Sequence, residues 1–258
     1  MSVSDIATRL SDRFHLLRGR RAATERHQTL RAAVDWSYGL LDSKEQVLFA
    51  RLSVFAGWFD LDSAEAVCGA DPLKAPDLVH LLSSLVDKSM VVTRTGRYRV
   101  LETLRQFGHE RLDDRGDAQK IRRGHLDHYV DFAVAADAGI HSQDEGTWSE
   151  RLEHNWPDLR AAFGWATTFE DLDTAMELVI AVAQWSFFRL RAEFGDWAET
   201  ALAMPGAATH QLYPSVLGAA AIAAQVRSDF EQAGHHAWAG IDAEHTPGSA
   251  RQQDSAVP

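Results

Sequence analysis

Residues 78–101, LVHLLSSLVDKSMVVTRTGRYRVL, change their hydrophobic period halfway along, and that change decides the fold. In 78–86 the apolar residues recur at three and four, which predicts a helix. From Met90 to Arg94 the run is β-rich, Thr95-Gly96 is a turn signal, and extended character resumes at Tyr98 and continues to Leu101, so a hairpin is expected. One hairpin behind a set of helices is the pattern of a winged helix.

Upstream, Leu30, Ala33, Val34, Ser37, Leu40 and Leu41 fall on one face of a predicted helix over about 29–41. Ser43 with Gln46 reads as a capping box for the next helix, whose Val47, Leu48 and Leu52 turn inward. Asp62 with Glu65 repeats the device for a short helix ending at Cys68, and Gly69 offers a left-handed stop. Downstream, a helix over 102–112 places Leu104, Phe107 and Leu112 together before Asp113-Asp114-Arg115-Gly116-Asp117 breaks it.

Beyond that break the chain reads as helical pairs. Tyr129, Phe132, Ala133 and Ala136 form a stripe; Asn155 is a candidate cap with Pro157 in the first turn, and Leu159, Phe163 and Ala166 face in. Leu217, Ala220, Ala221, Ala224, Phe230, Ala233, Ala237 and Gly240 follow the small-residue spacing of a tetratricopeptide-type repeat, with Trp197, Ala201 and Pro205 as an earlier, degenerate unit. The expected fold is mainly α: a winged-helix domain over 26–115, then a tetratricopeptide-like helical array over 116–245. A helical remnant or linker occupies 1–25, and a Pro-, Ser-, Gln- and Gly-rich tail, 246–258, is expected to be disordered.

Composition excludes classes without naming one. The chain has 258 residues, 45% of them hydrophobic, with 26 Lys+Arg against 37 Asp+Glu and a formal net charge of -11. An acidic balance disfavours a protein whose main task is gripping nucleic acid. A single cysteine, Cys68, makes no intrachain disulfide, and no charged-then-apolar leader opens the chain, so a reduced, cytoplasmic setting is expected. The most apolar stretch, 175–188, is interrupted by Glu177 and Gln184 and is shorter than the ~20 residues a bilayer requires.

Several separated blocks then fall in the order of one family. Arg26-His27-Gln28-Thr29-Leu30-Arg31-Ala32, Asp35-Trp36-Ser37-Tyr38, Leu52-Ser53-Val54-Phe55-Ala56-Gly57, Ala66-Val67-Cys68 and Arg97-Tyr98-Arg99-Val100-Leu101-Glu102-Thr103-Leu104-Arg105 resemble bacterial STAND-type transcriptional regulators, the LuxR-like and AfsR-like proteins of actinobacteria. The resemblance covers about 2–166 well and the repeats more loosely. It implies a nucleotide-switch NTPase module, a winged helix, a repeat array that senses a partner or inducer, and a DNA-binding domain at one end. Only the middle is resembled here: no Gly-x-x-x-x-Gly-Lys-Ser/Thr loop occurs, nor a Gly-Leu-Pro-Leu-type segment, which implies a truncated or split regulator. The related NB-ARC switches place Met-His-Asp where this chain has Val100-Leu101-Glu102, and leucine has no hydrogen bond for a phosphate. No cofactor is expected in this chain; ATP or ADP would enter only through a separate or missing NTPase module.

A third helix acting on DNA could expose Asp77, His80, Ser83, Ser84 and Asp87, with Lys88 at its end, a surface almost without cations, so direct DNA binding is disfavoured. Arg9, Arg13, Arg18, Arg20, Arg21, Arg26 and Arg31 make a basic N-terminal segment that reads as a solvated helix once lying on an NTPase module. His125 and His128 read as solvated helix residues, since metal sites need three or four convergent ligands. Cys68 reads as a small core residue, and no nucleophile elbow or split carboxylate pair argues for an enzyme. Among Trp185, Phe187, Phe188, Phe194 and Trp197 most rings should fill the core, while Trp185, Phe188 and Trp197 are the candidates for an effector or partner face. The expected function is non-enzymatic: a regulatory relay that binds a protein or effector through its repeats and pairs with an NTPase or DNA-binding regulator subunit. An uncapped array also favours self-association. The alternative is a stand-alone winged-helix DNA-binding regulator.

Overall fold

A short helical stretch, 31–39, leads into the fold in the computed structural model, which describes residues 31–245. The readings placed on 1–30 and on the tail 246–258 lie outside those residues. Val34 and Leu41 are buried, whereas Ala33 and Leu40 point outward, so the inward face of this first helix is rotated from the expected one.

Helix α1 (Ser43–Leu52) is capped one residue before the expected position. Asp42 is the N-cap, its carboxylate accepting from the backbone of Lys44 and Glu45 while the Glu45 side chain accepts from the Asp42 N–H. That reciprocal pair replaces Ser43 with Gln46, because a carboxylate accepts two amides where a hydroxyl satisfies one. Helix α2 (Leu61–Cys68) is capped by Asp60 through the Ser63 N–H rather than by Asp62, and Gly69 ends it at φ -78°, not in the left-handed region. Helix α3 (Ala75–Asp87) buries Leu78, Leu82 and Leu85, spaced four and three apart.

Strands β1 (Val92–Arg94) and β2 (Arg97–Arg99) form the expected antiparallel hairpin, shorter than the extended run predicted. Its two turn residues, Thr95 and Gly96, both have positive φ (49° and 76°), the twist that a two-residue hairpin loop requires. A backbone bridge between Phe59 and Tyr98 adds the α1–α2 connection as a third extended segment beside β2. Helix α4 (Glu102–Arg115) follows, packs on α1, and ends at Gly116 in the left-handed conformation. This is a winged-helix domain.

The helical array comprises α5 (Ala118–Ile140), α6 (Glu145–Thr168), α7 (Leu172–Phe188), α8 (Glu193–Leu202), α9 (Tyr213–Val226) and α10 (Phe230–His245). Consecutive helices pack as neighbours, and α5, α7 and α9 also touch in series. Helix α6 runs unbroken through Pro157, so Asn155 caps nothing; its side chain instead donates to the Arg151 carbonyl and accepts from Arg97. Of the residues given small-residue repeat spacing, Leu217, Ala220, Ala221, Ala224, Ala233 and Gly240 are buried, whereas Phe230 and Ala237 face solvent. One continuous apolar cluster runs from Val34 through the winged helix to Ala223, with α2 seated on α5.

Candidate functional site

The junction between winged helix and array carries the most specific polar chemistry in the described residues. Asp158, on α6, is fully buried. Its Oδ1 accepts the Ala56 N–H at 2.6 Å and its Oδ2 the Gly57 N–H at 3.0 Å, both from the α1–α2 connection about a hundred residues upstream. His125 of α5, equally buried, places Nε2 3.1 Å from the same Oδ1. A buried carboxylate demands such partners, since an unpaired charge in the interior is costly. Gly57 is required sterically: a Cβ there would sit 2.8 Å from Asp158 Oδ2.

The same connection continues into the wing. Arg97 of β2 donates through Nη2 to the Trp58 carbonyl and, at 3.0 Å, to Asn155 Oδ1 on α6. His128 lies 3.1 Å from the Ser63 hydroxyl of α2, and Tyr129 packs its ring 4.6 Å from that of His125. Burial, with repulsion from His125, holds the His128 imidazole below its ordinary pKa. Burial works against ionisation of Asp60, but hydrogen bonds from Ser63 and the nearby charges of Arg97 and His128 outweigh it and hold its carboxyl low. Burial, reinforced by Asp158 and Asp60, pushes the Tyr129 phenol up. These two histidines are therefore not solvated helix residues: the α5 face bearing them is covered by the α1–α2 connection. No group of three or more His, Cys, Asp or Glu among the described residues could hold a metal ion.

A second node ties the winged helix to the start of the array. Arg51 is 2% exposed and donates to the carbonyls of Cys68, Ala70 and Asp71 and, through both Nε and Nη2, to Asp117 at the α4–α5 turn. Beside it Cys68 is buried, and desolvation raises its thiol pKa far above the range in which a thiolate forms, as befits a core residue.

The third helix exposes less polar chemistry than its sequence offered. Buried Glu45 accepts from Ser84 and from Lys88 at 2.6 Å, and Lys44 pairs with Asp77. Ser84, Asp77 and Lys88 are thus tied to α1, and the outward residues of α3 are Pro76, Val79, His80, Ser83 and Asp87. Leu101 is the N-cap residue of α4, 48% exposed, with no side-chain hydrogen bond. A leucine side chain at this position has no hydrogen bond to offer a phosphate.

Of the candidate partner-face rings, Trp185 and Trp197 are interior. Trp197 stacks between Phe163 and Trp156 at 4.9 and 5.0 Å with the planes almost parallel, Trp185 lies 5.3 Å from Trp156, and the Arg191 guanidinium covers both Trp156 and Trp185. Phe188 alone of the three is open, at 71% exposure. Nothing in the sequence pattern marks Asp158 or Arg51, while Arg97 and Gly57 fall inside the family-like blocks without a role attached to them.

Residues 41–113 match the family model of the winged helix-turn-helix domain. A Mycobacterium tuberculosis protein designated an HTH-type transcriptional regulator is 38% identical over 209 residues, which covers 78% of this chain and 23% of that relative. An uncharacterized protein of the same species is 38% identical over 149 residues, 54% of this chain and 38% of its own length. The regulatory protein AfsR of Streptomyces coelicolor is 32% identical over 145 residues, 55% of this chain and 14% of AfsR. The chain thus spans less than a quarter of the first of these relatives. No solved structure matches. No helix among the described residues is long and apolar enough to cross a membrane. Residues 41–113 are a winged helix-turn-helix domain, and the chain carrying them is homologous to HTH-type transcriptional regulators and to AfsR.

Proposed function

We propose that this chain is the non-enzymatic relay segment of a STAND-type, LuxR-like or AfsR-like regulator. Its domains are the winged helix over 26–115 and a tetratricopeptide-like array over 116–245 that binds a protein or effector. Binding at the array biases a two-state arrangement of the winged helix, by the difference in contact energy between the states. ATP or ADP belongs to a separate nucleotide-binding module in this reading, and the regulator acts in the cytoplasm. The observation that carries it is the Asp158 clamp: one buried carboxylate of α6 holds the connection that feeds the wing, so a shift of α6 moves the wing with it.

Two further features support the reading. Trp36 and Leu40 stand 69% and 59% exposed before α1, and Trp238 and Ile241 stand 69% and 46% exposed on α10, apolar surface suited to contact with further protein. The outward side of α3 carries no lysine or arginine, which favours the relay over a stand-alone DNA-binding regulator.

Asp158→Asn tests the coupling. An asparagine amide presents one oxygen where two amides now find two, so one N–H loses its acceptor. Hydrogen exchange on the full chain should accelerate at Ala56 and Gly57 and also at Tyr98 in the wing, while α9 and α10 keep their protection. Unchanged exchange at Tyr98 would break the relay. A gel-shift series across salt decides the alternative, since tight, sequence-selective duplex binding would put the stand-alone regulator first.

A further inference from the structure

The hairpin register sets three arginines on one face. Arg94 lies opposite Arg97 and Val92 opposite Arg99, and residues two apart on a strand share a face, so Arg94, Arg97 and Arg99 stand side by side. Like charges directly opposite one another destabilise a hairpin unless something offsets them. Arg97 is held by the Trp58 carbonyl and the Asn155 amide, neither of them charged. Arg94 is exposed and Arg99 half-buried, and neither has a carboxylate within ion-pair distance among the described residues. Many other arginines of this acidic chain are paired with carboxylates, among them Arg31 with Glu110, Arg105 with Glu102, Arg122 with Asp113 and Arg227 with Asp196, while Arg151 and Arg189 are held instead by aromatic rings and a hydroxyl.

We propose that the part of this hairpin face not covered by α6, around Arg94 and Arg99, is a docking surface for an acidic segment of a partner protein, its carboxylates held in the forks of Arg94 and Arg99. A guanidinium presents paired donors that match a carboxylate bidentately. Nucleic acid fits the face less well. A duplex brings a charge every ~1.7 Å of its axis, so it would extend past these few arginines over a chain of net charge -11. A short acidic segment confines its charge to the hairpin. Arg97 ties this face to the Asp158 junction, but docking at Arg94 and Arg99 stands whether or not the array relays a signal.

Fluorescence anisotropy of a fluorescein-labelled octaglutamate peptide with the full chain tests it. Binding should be present at low salt and weaken as salt rises. The Arg94→Ala, Arg99→Ala double variant should lose about tenfold in affinity, and the corresponding double lysine variant, which keeps charge without the fork, should fall between. Both side chains lie outside the apolar core, so matching thermal unfolding curves verify that the variants fold. Lys120→Ala removes an exposed cation on α5 and should leave binding unchanged. The proposal is overturned if the peptide does not bind, if the arginine variants bind as the parent does, if Lys120→Ala weakens binding equally, or if duplex DNA displaces the peptide at a lower concentration of charge.

Discussion

The two halves of this molecule hold their shape by different means. Within the winged helix and at its junction with the array, single buried polar side chains fix the joints: Glu45 joins α1 to α3, Arg51 joins α1 to the α2–α3 connection and to Asp117, and Asp158 joins α6 to the α1–α2 connection. In the later array apolar packing takes a larger share: α9 meets its neighbours through Val216, Leu217, Ala219, Ala220, Ala223 and Ala224, and α6, α7 and α8 meet through stacked rings, with polar ties such as Trp185 to Ser149 and His236 with Glu199 added around them. A polar joint has one geometry and fails when one partner is lost. Apolar packing degrades in proportion to the volume removed. The difference is compatible with the relay proposed above, which needs a specific joint.

Arg51 offers the largest way to break this comparison. Arg51→Ala leaves three carbonyls and the Asp117 carboxylate without their donor, and loss of one member of a buried pair costs about 3–5 kcal/mol. Urea unfolding of the full chain should show that loss, and Arg51→Lys should not restore it, because an ammonium cannot span four acceptors arranged for a planar fork. Full rescue by lysine would mean that charge alone matters there. The array counterpart is Trp197→Phe, which keeps a ring between Phe163 and Trp156 and removes only the second one. A loss of about 1–2 kcal/mol is expected. If the conservative change in the array costs as much as the one at Arg51, the two halves do not differ as described.

The same division explains what the sequence conveys. Periodicity located the hairpin, the buried leucines of α3 and the small-residue face between α9 and α10, because these follow from whether a side chain is apolar and how far apart its neighbours lie. Cap positions slipped by one or two residues wherever acceptors cluster, as at Asp42-Ser43 and Asp60-Leu61-Asp62, since the choice between them depends on what Glu45 and Ser63 also reach. The junction was unreadable. His125 and Asp158 are polar and fall on helices, so pattern alone sends them to solvent, and their partners lie 33 to 102 residues away. Pro157 likewise signals a helix start by its chemistry, yet it lies inside the continuous α6. Phe188 stayed on the surface while Trp185 and Trp197 went inside, a sorting decided by where α6 and α8 cross α7.

Acidification sharpens the contrast, because the two histidines that burial holds below their ordinary pKa, His109 and His128, lie in the winged helix and its junction. His109, on α4, is pushed down to about 4 by burial and by the charges of Arg105 and Arg122, with Arg105 Nη1 3.0 Å from its Nε2. A neutral imidazole there accepts that bond; protonation removes the acceptor. The unfolded chain binds this proton near pH 6.5 and the folded chain near 4, so the contribution to stability is present above 6.5 and is lost as pH falls toward 4. One such proton gives a slope of about 1.4 kcal/mol per pH unit. His128 is lowered as well and acts in the same direction, while the depressed carboxyls of Asp60, Glu45 and Glu102 give up their contributions only at lower pH, as they protonate. Urea midpoints between pH 7 and 4.5 should therefore fall, and His109→Gln should reduce the slope. An unchanged slope in that variant would move the sensitivity to the junction histidine.

The smallest expected effect is at Phe188, and it separates packing from recognition. The ring is 71% exposed at the end of α7, next to Phe187 and two residues before Leu190, which is 73% exposed with φ at 52°. A side chain that buries little on folding contributes little to it, so Phe188→Ser should change unfolding free energy by less than about 0.5 kcal/mol. The Trp197→Phe loss, by contrast, should appear in the same urea experiment. A ring that the fold does not need is open to a partner, so Phe188→Ser should weaken any complex made through this end of the array while leaving the melting curve in place. A stability loss near that of Trp197→Phe would show Phe188 to be part of the core, leaving none of the three candidate rings on a partner face.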